Sequence, residues 1–224
     1  MIVPAFGRGT RMGTDKLWVE VAGRPLLFHT LCALGAGGID AALVVVAPSE
    51  RWVAVRRLAA EAGFTRITLA EGGARRQDSV RAALGLTEGC AVVAVHDAAR
   101  ALCPPTLLPA VVAAAAEHGA ATVAIPVVDS IKRVDRTGRV LESLDRAELV
   151  AVQTPQAFRR DLLVEAHRLA LVHGWLVDDD CALVERAGAA VVTVPGHPSN
   201  LKVTTPADLG IVRSRFADAT PEAR

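Results

Sequence analysis

The sequence lacks the features that mark several common classes of protein. Its net charge is only +1 over 224 residues, so it has no excess of basic residues for a long nucleic-acid surface or an anionic membrane surface. Arginine, glycine and proline interrupt every apolar run well short of membrane-spanning length, although 51% of the residues are hydrophobic. No basic-then-apolar leader follows Met1. We therefore expect a soluble, cytoplasmic protein that binds neither nucleic acid nor membrane.

Paired cysteines are also missing. The four cysteines stand far apart with no C-x-x-C pair, at Cys32, Cys90, Cys103 and Cys181. This usage fits a reducing compartment, in which the thiols are buried or incidental. The spacing does not support a zinc site.

The two common phosphate-binding motifs are absent, yet one segment has the composition of such a loop. The stretch "FGRGTRMGTDK", residues 6–16, holds three glycines and three cationic side chains. Its glycine spacing does not fit G-x-G-x-x-G, which disfavours an NAD-dependent enzyme, and it has no Gly-Lys-Ser/Thr. Glycines allow backbone N–H groups to surround a phosphate. The segment therefore indicates an unusual phosphate-binding loop, with a solvated surface turn as the alternative.

Strand-length apolar runs alternate with segments of helical period. The predicted strands are Ile2–Pro4, Ala42–Val46, Ile67–Leu69, Ala91–Val95, Thr122–Pro126 and Ala190–Val194. The predicted helices lie near Pro25–Leu34, Glu50–Ala62, Gln77–Leu84, Thr106–His118, Asp161–Val172, Asp179–Arg186 and Pro206–Phe216. Alternation of this kind predicts an α/β fold, a three-layer sandwich around a mostly parallel sheet. We expect one domain over residues 1–216 and a flexible tail over 217–224.

One segment interrupts this alternation. Residues 129–152, "DSIKRVDRTGRVLESLDRAELVAV", place short alternating strands around the turn "DRTG" and predict an inserted β-hairpin. A two-stranded ribbon is marginally stable alone. The hairpin must therefore pack on its own domain or on another chain, and the residues leave both alternatives open.

Polar residues and glycines cluster where the predicted strands end. The clusters comprise Arg8, Arg11 and Lys16; Gly72, Gly73, Arg76 and Ser79; His96, Asp97 and Arg100; and, late in the chain, Lys202. Each has a purely structural explanation, such as a helix cap at Asp97 or a solvated face at Arg76. Ligands of doubly wound folds bind beyond the carboxyl ends of the strands, however. Several cations with one carboxylate there indicate a nucleoside triphosphate and a nearby metal ion.

These motifs together resemble one enzyme family. The ordered set is "VPAFGRGTRMG", Lys16, "GGARRQDSV", "HDAAR", "DSIKR", "LDR", "QTPQAF", "DDDCALVE" and "NLKVTTPADL". Over about residues 2–212 it is similar to the 2-C-methyl-D-erythritol 4-phosphate cytidylyltransferases. The resemblance implies a Rossmann-like domain and a homodimer clasped by the hairpin arm. It also implies Mg²⁺-dependent condensation of CTP with methylerythritol phosphate, which releases pyrophosphate.

The resemblance also implies roles for individual residues. The residues implied to bind the nucleotide are Ala5, Gly7, Gly9, Thr10, Gly73, Arg76 and Ser79. The residues implied to stabilise charge during catalysis are Arg11, Lys16 and Lys202. Those implied to bind the alcohol phosphate are Asp97, Arg100, Ser130, Arg146, Thr154 and Lys202, with Asp97 also near the metal ion. Arg146 and Thr154 match positions that reach the site from the partner subunit.

Two alternatives stay open at this point. The same clamp would serve a cytidylyltransferase for another polyol phosphate, such as ribitol 5-phosphate. A nucleotide-binding protein without turnover is the other alternative, since Phe6 and Ala74 depart from the family pattern. A pyrophosphate-release assay with exchanged substrates separates these hypotheses.

Overall fold

The computed structural model describes residues 1–6, 15–38 and 41–218. Its strands are β1 (Ile2–Pro4), β2 (Glu20–Val21), β3 (Arg24–Pro25), β4 (Leu43–Val46), β5 (Ile67–Ala70), β6 (Val92–Val95), β7 (Ala120–Pro126), β8 (Lys132–Val134), β9 (Val140–Ser143), β10 (Val150–Arg159) and β11 (Val192–Pro195). Its helices are α1 (Leu26–Gly35), α2 (Trp52–Glu61), α3 (Arg76–Leu84), α4 (Leu107–His118), α5 (Arg160–His173), α6 (Asp180–Arg186) and α7 (Pro206–Asp218). Every strand and helix predicted from the sequence is confirmed, with ends that agree to within about two residues.

Seven strands form the central sheet, in the order β11-β7-β10-β6-β1-β4-β5. Strand β1 pairs in parallel with β4 and β6, β4 with β5, and β11 with β7. Only β10 runs against its neighbours within this sheet, since it is antiparallel to both β6 and β7. The prediction of a mostly parallel sheet is therefore confirmed.

Both faces of the sheet are buried, which explains the continuous apolar runs in the sequence. Successive residues of a strand point to opposite faces, so Ile2 enters one core cluster and Val3 the other. Helices α1, α2, α4 and α7 contribute to the cluster that contains Val3. Helices α3, α5 and α6 contribute to the cluster that contains Ile2. The result is the predicted three-layer sandwich.

The sequence patterns did not predict β10. Its segment, "VAVQTPQAFR", mixes glutamines and a proline with apolar residues. Pro155 has no N–H for the ladder, and the register against β7 shifts between Val152 and Gln156. Val150–Val152, which the prediction placed in the arm, pair with β7 instead. The arm is therefore shorter at its carboxyl end than residues 129–152.

The inserted hairpin itself is confirmed. Strands β8 and β9 form a separate antiparallel pair around the turn 135–138. The carboxylate of Asp135 accepts hydrogen bonds from the N–H groups of Thr137 and Arg139, and Gly138 has φ +85°. That positive φ favours glycine, because other L-residues are strained there.

The carboxyl-terminal prediction needs one correction. Ala217 and Asp218 continue α7 rather than begin a tail, while residues 219–224 lie outside the described part of the chain. No helix within the described ranges is long and apolar enough to cross a membrane.

Candidate active site

A cleft opens at the carboxyl edge of the sheet, between the ends of β1 and β6. From β1 the chain builds the sheet towards β4 and β5 and then returns to add β6 on the other side. Doubly wound sheets bind ligands at such a reversal of strand order. The cleft encloses about 670 Å³, part of it open to solvent. Residues that follow β1, β5 and β6 line it, together with Lys16 and Lys202.

The carboxylate of Asp97, just after β6, gathers three cationic side chains. Its Oδ1 accepts a hydrogen bond from Arg76 Nε at 3.1 Å. Its Oδ2 lies 2.9 Å from Lys202 Nζ and 3.6 Å from Arg100 Nε. One carboxylate thus holds in place cations from three separate parts of the chain.

The electrostatics of this cluster keep Asp97 ionised. Burial alone would raise the pKa of its carboxyl group, but the charges of Arg76 and Lys202 outweigh burial and hold the pKa well below its usual range. Asp97 therefore stays charged at any physiological pH.

Arg76 is shared between two carboxylates. Besides Asp97, its Nη1 donates to Asp180 Oδ2 at 2.7 Å. Burial disfavours the guanidinium charge, yet Asp180 and Asp97 together raise the pKa of Arg76. The cluster of Arg76, Arg100 and Lys202 carries one more positive charge than the two carboxylates. The cleft is therefore suited to an anion.

A buried polar network holds the segment that carries Lys202. Arg100 Nη1 donates to the carbonyl oxygen of Asn200 at 2.6 Å. The side-chain amide of Asn200 donates to Gln153 Oε1 at 3.1 Å and to the carbonyl oxygen of Thr154 at 2.8 Å. The carbonyl of Thr154 lies within the register shift in β10, where the sheet ladder leaves it available. The network fixes the backbone two residues before Lys202.

Lys16 also contacts the segment that carries Lys202. Its Nζ donates to the carbonyl oxygen of Val203 at 2.8 Å, and the Val203 N–H donates to the carbonyl oxygen of Ala99 at 2.9 Å. Both lysines therefore lie along one strip of backbone beside the cleft.

The glycine pair after β5 makes room for the protein's own side chains. A Cβ at Gly72 would overlap the ring of Phe6, and a Cβ at Gly73 would overlap the side chain of Asp78. Gly73 also lines the cleft. The ring of Phe6 lies against Gly72 and also lines the cleft.

Most of the sequence-predicted site residues that can be described meet in this cleft. Its lining includes Lys16, Gly73, Arg76, Ser79, Asp97 and Lys202. Arg100 lies behind Asp97 and is largely buried. Gly7, Gly9, Thr10 and Arg11 lie outside the described residues, as does Arg8.

Ala5 and Thr154 are both buried within this chain. The side chain of Ala5 lies in the core, and its N–H donates to the carbonyl oxygen of Val46 at 2.7 Å. Thr154 lies in β10, and its hydroxyl accepts the N–H of Asp97 at 2.9 Å within the same chain.

Ser130 and Arg146 are not brought to this chain's own cleft. Both are exposed on the inserted segment, and Arg146 Nη1 donates to the carbonyl oxygen of Val128 at 2.7 Å. None of the described residues of the hairpin lines the cleft.

Asp180, His167 and Asn200 have no role in the sequence-based interpretation, although the structure connects all three to the site. The repeated carboxylates of "DDDC" and the asparagine two residues before Lys202 were the available signals. His167 has no such signal, because it lies within an ordinary amphipathic helix.

Among the described residues, no three histidine, cysteine, aspartate or glutamate side chains come together to hold a metal ion. The sheet topology and the cationic cleft at its switch point define the class of protein: a Rossmann-like α/β domain with a cleft suited to anionic ligands.

Comparison with known proteins narrows this class to one family. The family model for 2-C-methyl-D-erythritol 4-phosphate cytidylyltransferase (IspD) matches residues 1–216. The enzymes of that name from Pelotomaculum thermopropionicum and Saccharopolyspora erythraea are 43% and 44% identical to this chain. The alignments cover 95% and 96% of this chain and 92% and 98% of those proteins. The chain belongs to the 2-C-methyl-D-erythritol 4-phosphate cytidylyltransferase family.

A solved structure agrees with this assignment. The 4-diphosphocytidyl-2C-methyl-D-erythritol synthase of Anaerococcus prevotii superposes with a TM-score of 0.85 at 25% identity. The superposition covers 96% of each chain. The fold expected from the resemblance is therefore confirmed.

The contact between Phe6 and Gly72 predicts a paired effect on stability. Gly72→Ala should lower the free energy of unfolding by about 1–3 kcal/mol, because the new methyl group forces the Phe6 ring to move. The double variant Phe6→Ala/Gly72→Ala should be nearly as stable as Phe6→Ala alone. Urea denaturation measures both effects. Gly85→Ala is the matched control, because a Cβ there would lie at an ordinary contact distance of 3.8 Å from the carbonyl oxygen of Ala82. Strictly additive losses in the double variant would contradict the contact.

Proposed function

We propose that the cleft binds CTP and transfers CMP to 2-C-methyl-D-erythritol 4-phosphate, giving 4-diphosphocytidyl-2-C-methyl-D-erythritol and pyrophosphate. The observation that carries this proposal is the set of cations gathered by Asp97 at the switch point of the sheet, in a chain of this family. The phosphate oxygen of the alcohol phosphate attacks the α-phosphorus of CTP, and the bond to pyrophosphate breaks. Such a displacement depends mainly on positioning and charge stabilisation.

The lysines carry the electrostatic part of the proposal. Lys16 binds the carbonyl oxygen of Val203, and Lys202, the preceding residue, contacts Asp97. Cations at a phosphoryl site act most strongly where negative charge develops in the transition state. We assign Lys16 to the α-phosphate, together with Arg11, and Lys202 to the side that holds the alcohol phosphate with Asp97 and Arg100.

Cytosine recognition is assigned to the turn before α3. Ser79 Oγ accepts the Gly73 N–H at 3.2 Å and donates to the carbonyl oxygen of Arg75 at 3.1 Å. These bonds fix the shape of the turn, so its backbone groups can distinguish the amino group of cytosine from the oxygen of uracil. A mismatched base would leave a buried polar group unpaired.

The carboxylate in the cleft fits a metal ion only when phosphate oxygens of the bound nucleotide coordinate the ion as well. Asp97 is the carboxylate that lines the cleft, and both of its oxygens already face cations. Mg²⁺ is commonly held by one or two carboxylates together with substrate phosphates. We therefore propose that Mg²⁺ enters with the triphosphate, where it neutralises phosphate charge, and that Asp97 is the carboxylate beside it.

The exposed apolar side chains in and beside the hairpin support a homodimer. In the hairpin, Val134, Val140 and Leu141 are 52%, 55% and 60% exposed. Val128, Val150 and Val152, which lie beside it, are 78%, 49% and 42% exposed. An exposed apolar face on a two-stranded ribbon favours a protein partner. We propose that the arm clasps a second copy of this chain and presents Arg146 and Ser130 to that copy's cleft. All four cysteines are free, which supports a cytoplasmic location.

Pyrophosphate release tests the proposed function. The protein is mixed with Mg²⁺ and each pairing of CTP or UTP with methylerythritol phosphate or ribitol 5-phosphate. We expect turnover with CTP and methylerythritol phosphate, at least about a hundredfold lower efficiency with UTP, and none without divalent cations. Preference for ribitol 5-phosphate would reassign the alcohol. Thermal protection by CTP without pyrophosphate from either alcohol would indicate a binding protein instead.

Mixed dimers test the arm's role. Lys16→Ala and Arg146→Ala chains should each be nearly inactive, because each site then lacks one cation. When the two are unfolded and refolded together at equal amounts, about half of the dimers are mixed, and about a quarter of all sites should recover. Each rescued site combines Lys16 of one chain with Arg146 of the other. If Arg146 serves its own chain, every site stays defective and mixing restores nothing.

A further inference from the structure

Behind the cleft lies a buried histidine–aspartate contact to which the proposed reaction gives no role. His167 of α5 and Asp180 of α6 are only 2% and 1% exposed at their side chains, and His167 Nε2 lies 3.2 Å from Asp180 Oδ1. Neither residue lines the cleft. They can therefore influence the cleft only through a residue that contacts them and also lines it.

Arg76 is that residue. Asp180 uses Oδ1 for His167 and Oδ2 for Arg76 Nη1, and Arg76 then uses Nε for Asp97. Asp97 in turn contacts Lys202. A continuous line of charged contacts therefore runs from the helical layer to the cleft.

Helix α6 and its preceding loop have anchors that do not involve the carboxylate of Asp180. The amino terminus of α6 is capped by Asp179, which accepts the N–H of Ala182 at 2.9 Å. The loop before it is tied to α3 by Gln77, which donates to the carbonyl oxygen of Trp175 and accepts the N–H of Val177. Both anchors are independent of Asp180.

A buried ion pair is also an inefficient source of stability. Desolvation of the charges offsets much of their attraction, and apolar side chains of similar volume often stabilise a core as well. An arginine side chain has several free torsions, so one carboxylate partner alone would leave the Arg76 guanidinium free to rotate. Two carboxylates on different sides fix it.

We propose that Asp180, held by His167, is a positioning residue of the active site, which fixes the Arg76 guanidinium and thereby places Asp97 and Lys202. The inference rests on the proposed function, because turnover is its principal readout. Asp180 acts through Arg76 and touches no substrate.

Asp180→Asn keeps the shape of the side chain and removes its charge. We expect kcat for pyrophosphate release to fall by about tenfold to a hundredfold, with the KM for CTP changed by less than about threefold, since misplacement costs mainly transition-state stabilisation. Glu165→Gln is the matched control, because it removes the carboxylate of an exposed ion pair between Glu165 and Arg168 on α5. Its kcat should stay within about twofold of the unmutated protein.

A double-mutant cycle separates positioning from a purely structural role. If Asp180 acts through Arg76, Arg76→Met and Arg76→Met/Asp180→Asn should have the same kcat. The proposal would be overturned if the double variant lost kcat by the product of the two single losses. A kcat for Asp180→Asn within twofold of the unmutated protein would overturn it as well. If Asp180→Asn does not fold, His167→Met replaces it, because it removes only the donor to Asp180. Unchanged turnover in that variant would overturn the proposal equally.

A spectroscopic readout keeps this inference distinct from the proposed function. The Nε–H signal of Arg76 in ¹⁵N NMR, assigned by its loss in Arg76→Lys, should be sharp in the unmutated protein and shifted or broadened in Asp180→Asn. An unchanged signal would contradict positioning even if the protein released no pyrophosphate with any alcohol phosphate. Absence of turnover with a changed signal would overturn the proposed function alone.

Discussion

The organisation of the site depends on the carboxylate of Asp97. Three cationic side chains meet on its two oxygens. Arg76 is the first residue of α3, Arg100 lies three residues after Asp97 in the loop that follows β6, and Lys202 lies in the segment before α7. Without a shared anion, three positive side chains gathered around one point would repel one another. One buried negative charge therefore makes a concentrated positive cleft compatible with a stable fold. The cleft stays cationic overall, which suits it to phosphates.

The sheet topology explains why this carboxylate is placed there. Asp97 follows β6, the strand added when the chain returns across β1, so it lies at the switch point. Its N–H is fixed by Thr154 of the one antiparallel strand, β10. The register shift around Pro155 also leaves the carbonyl of Thr154 to bind Asn200 and so hold the backbone before Lys202. The irregular strand thus supports both sides of the charge cluster.

Much of this arrangement could be predicted from the sequence, and the rest depends on packing. Continuous apolar runs at β4 and β6 predict a sheet covered on both faces, and polar residues directly after such runs identify Asp97 as a candidate. The apolar pattern does not predict strand β10, because its glutamines and Pro155 are explained only by their partners in the folded chain. The sequence does not predict the roles of Asp180 and His167 either. Asp180 contacts Arg76 and His167 contacts Asp180 only because α5 and α6 pack against α3. The motif at Thr154 predicts a site residue, but only the folded chain shows that its hydroxyl accepts the N–H of Asp97.

The most direct test of this account is the steady-state kinetics of Asp97→Asn. Loss of the charge frees Arg76, Arg100 and Lys202 from their common partner and makes the cleft more positive by one charge. The account predicts that kcat falls by about a hundredfold or more, while the KM for CTP rises by no more than about threefold, because anion attraction persists and only its geometry is lost. A kcat close to that of the unmutated protein would contradict it, as would a loss confined to KM.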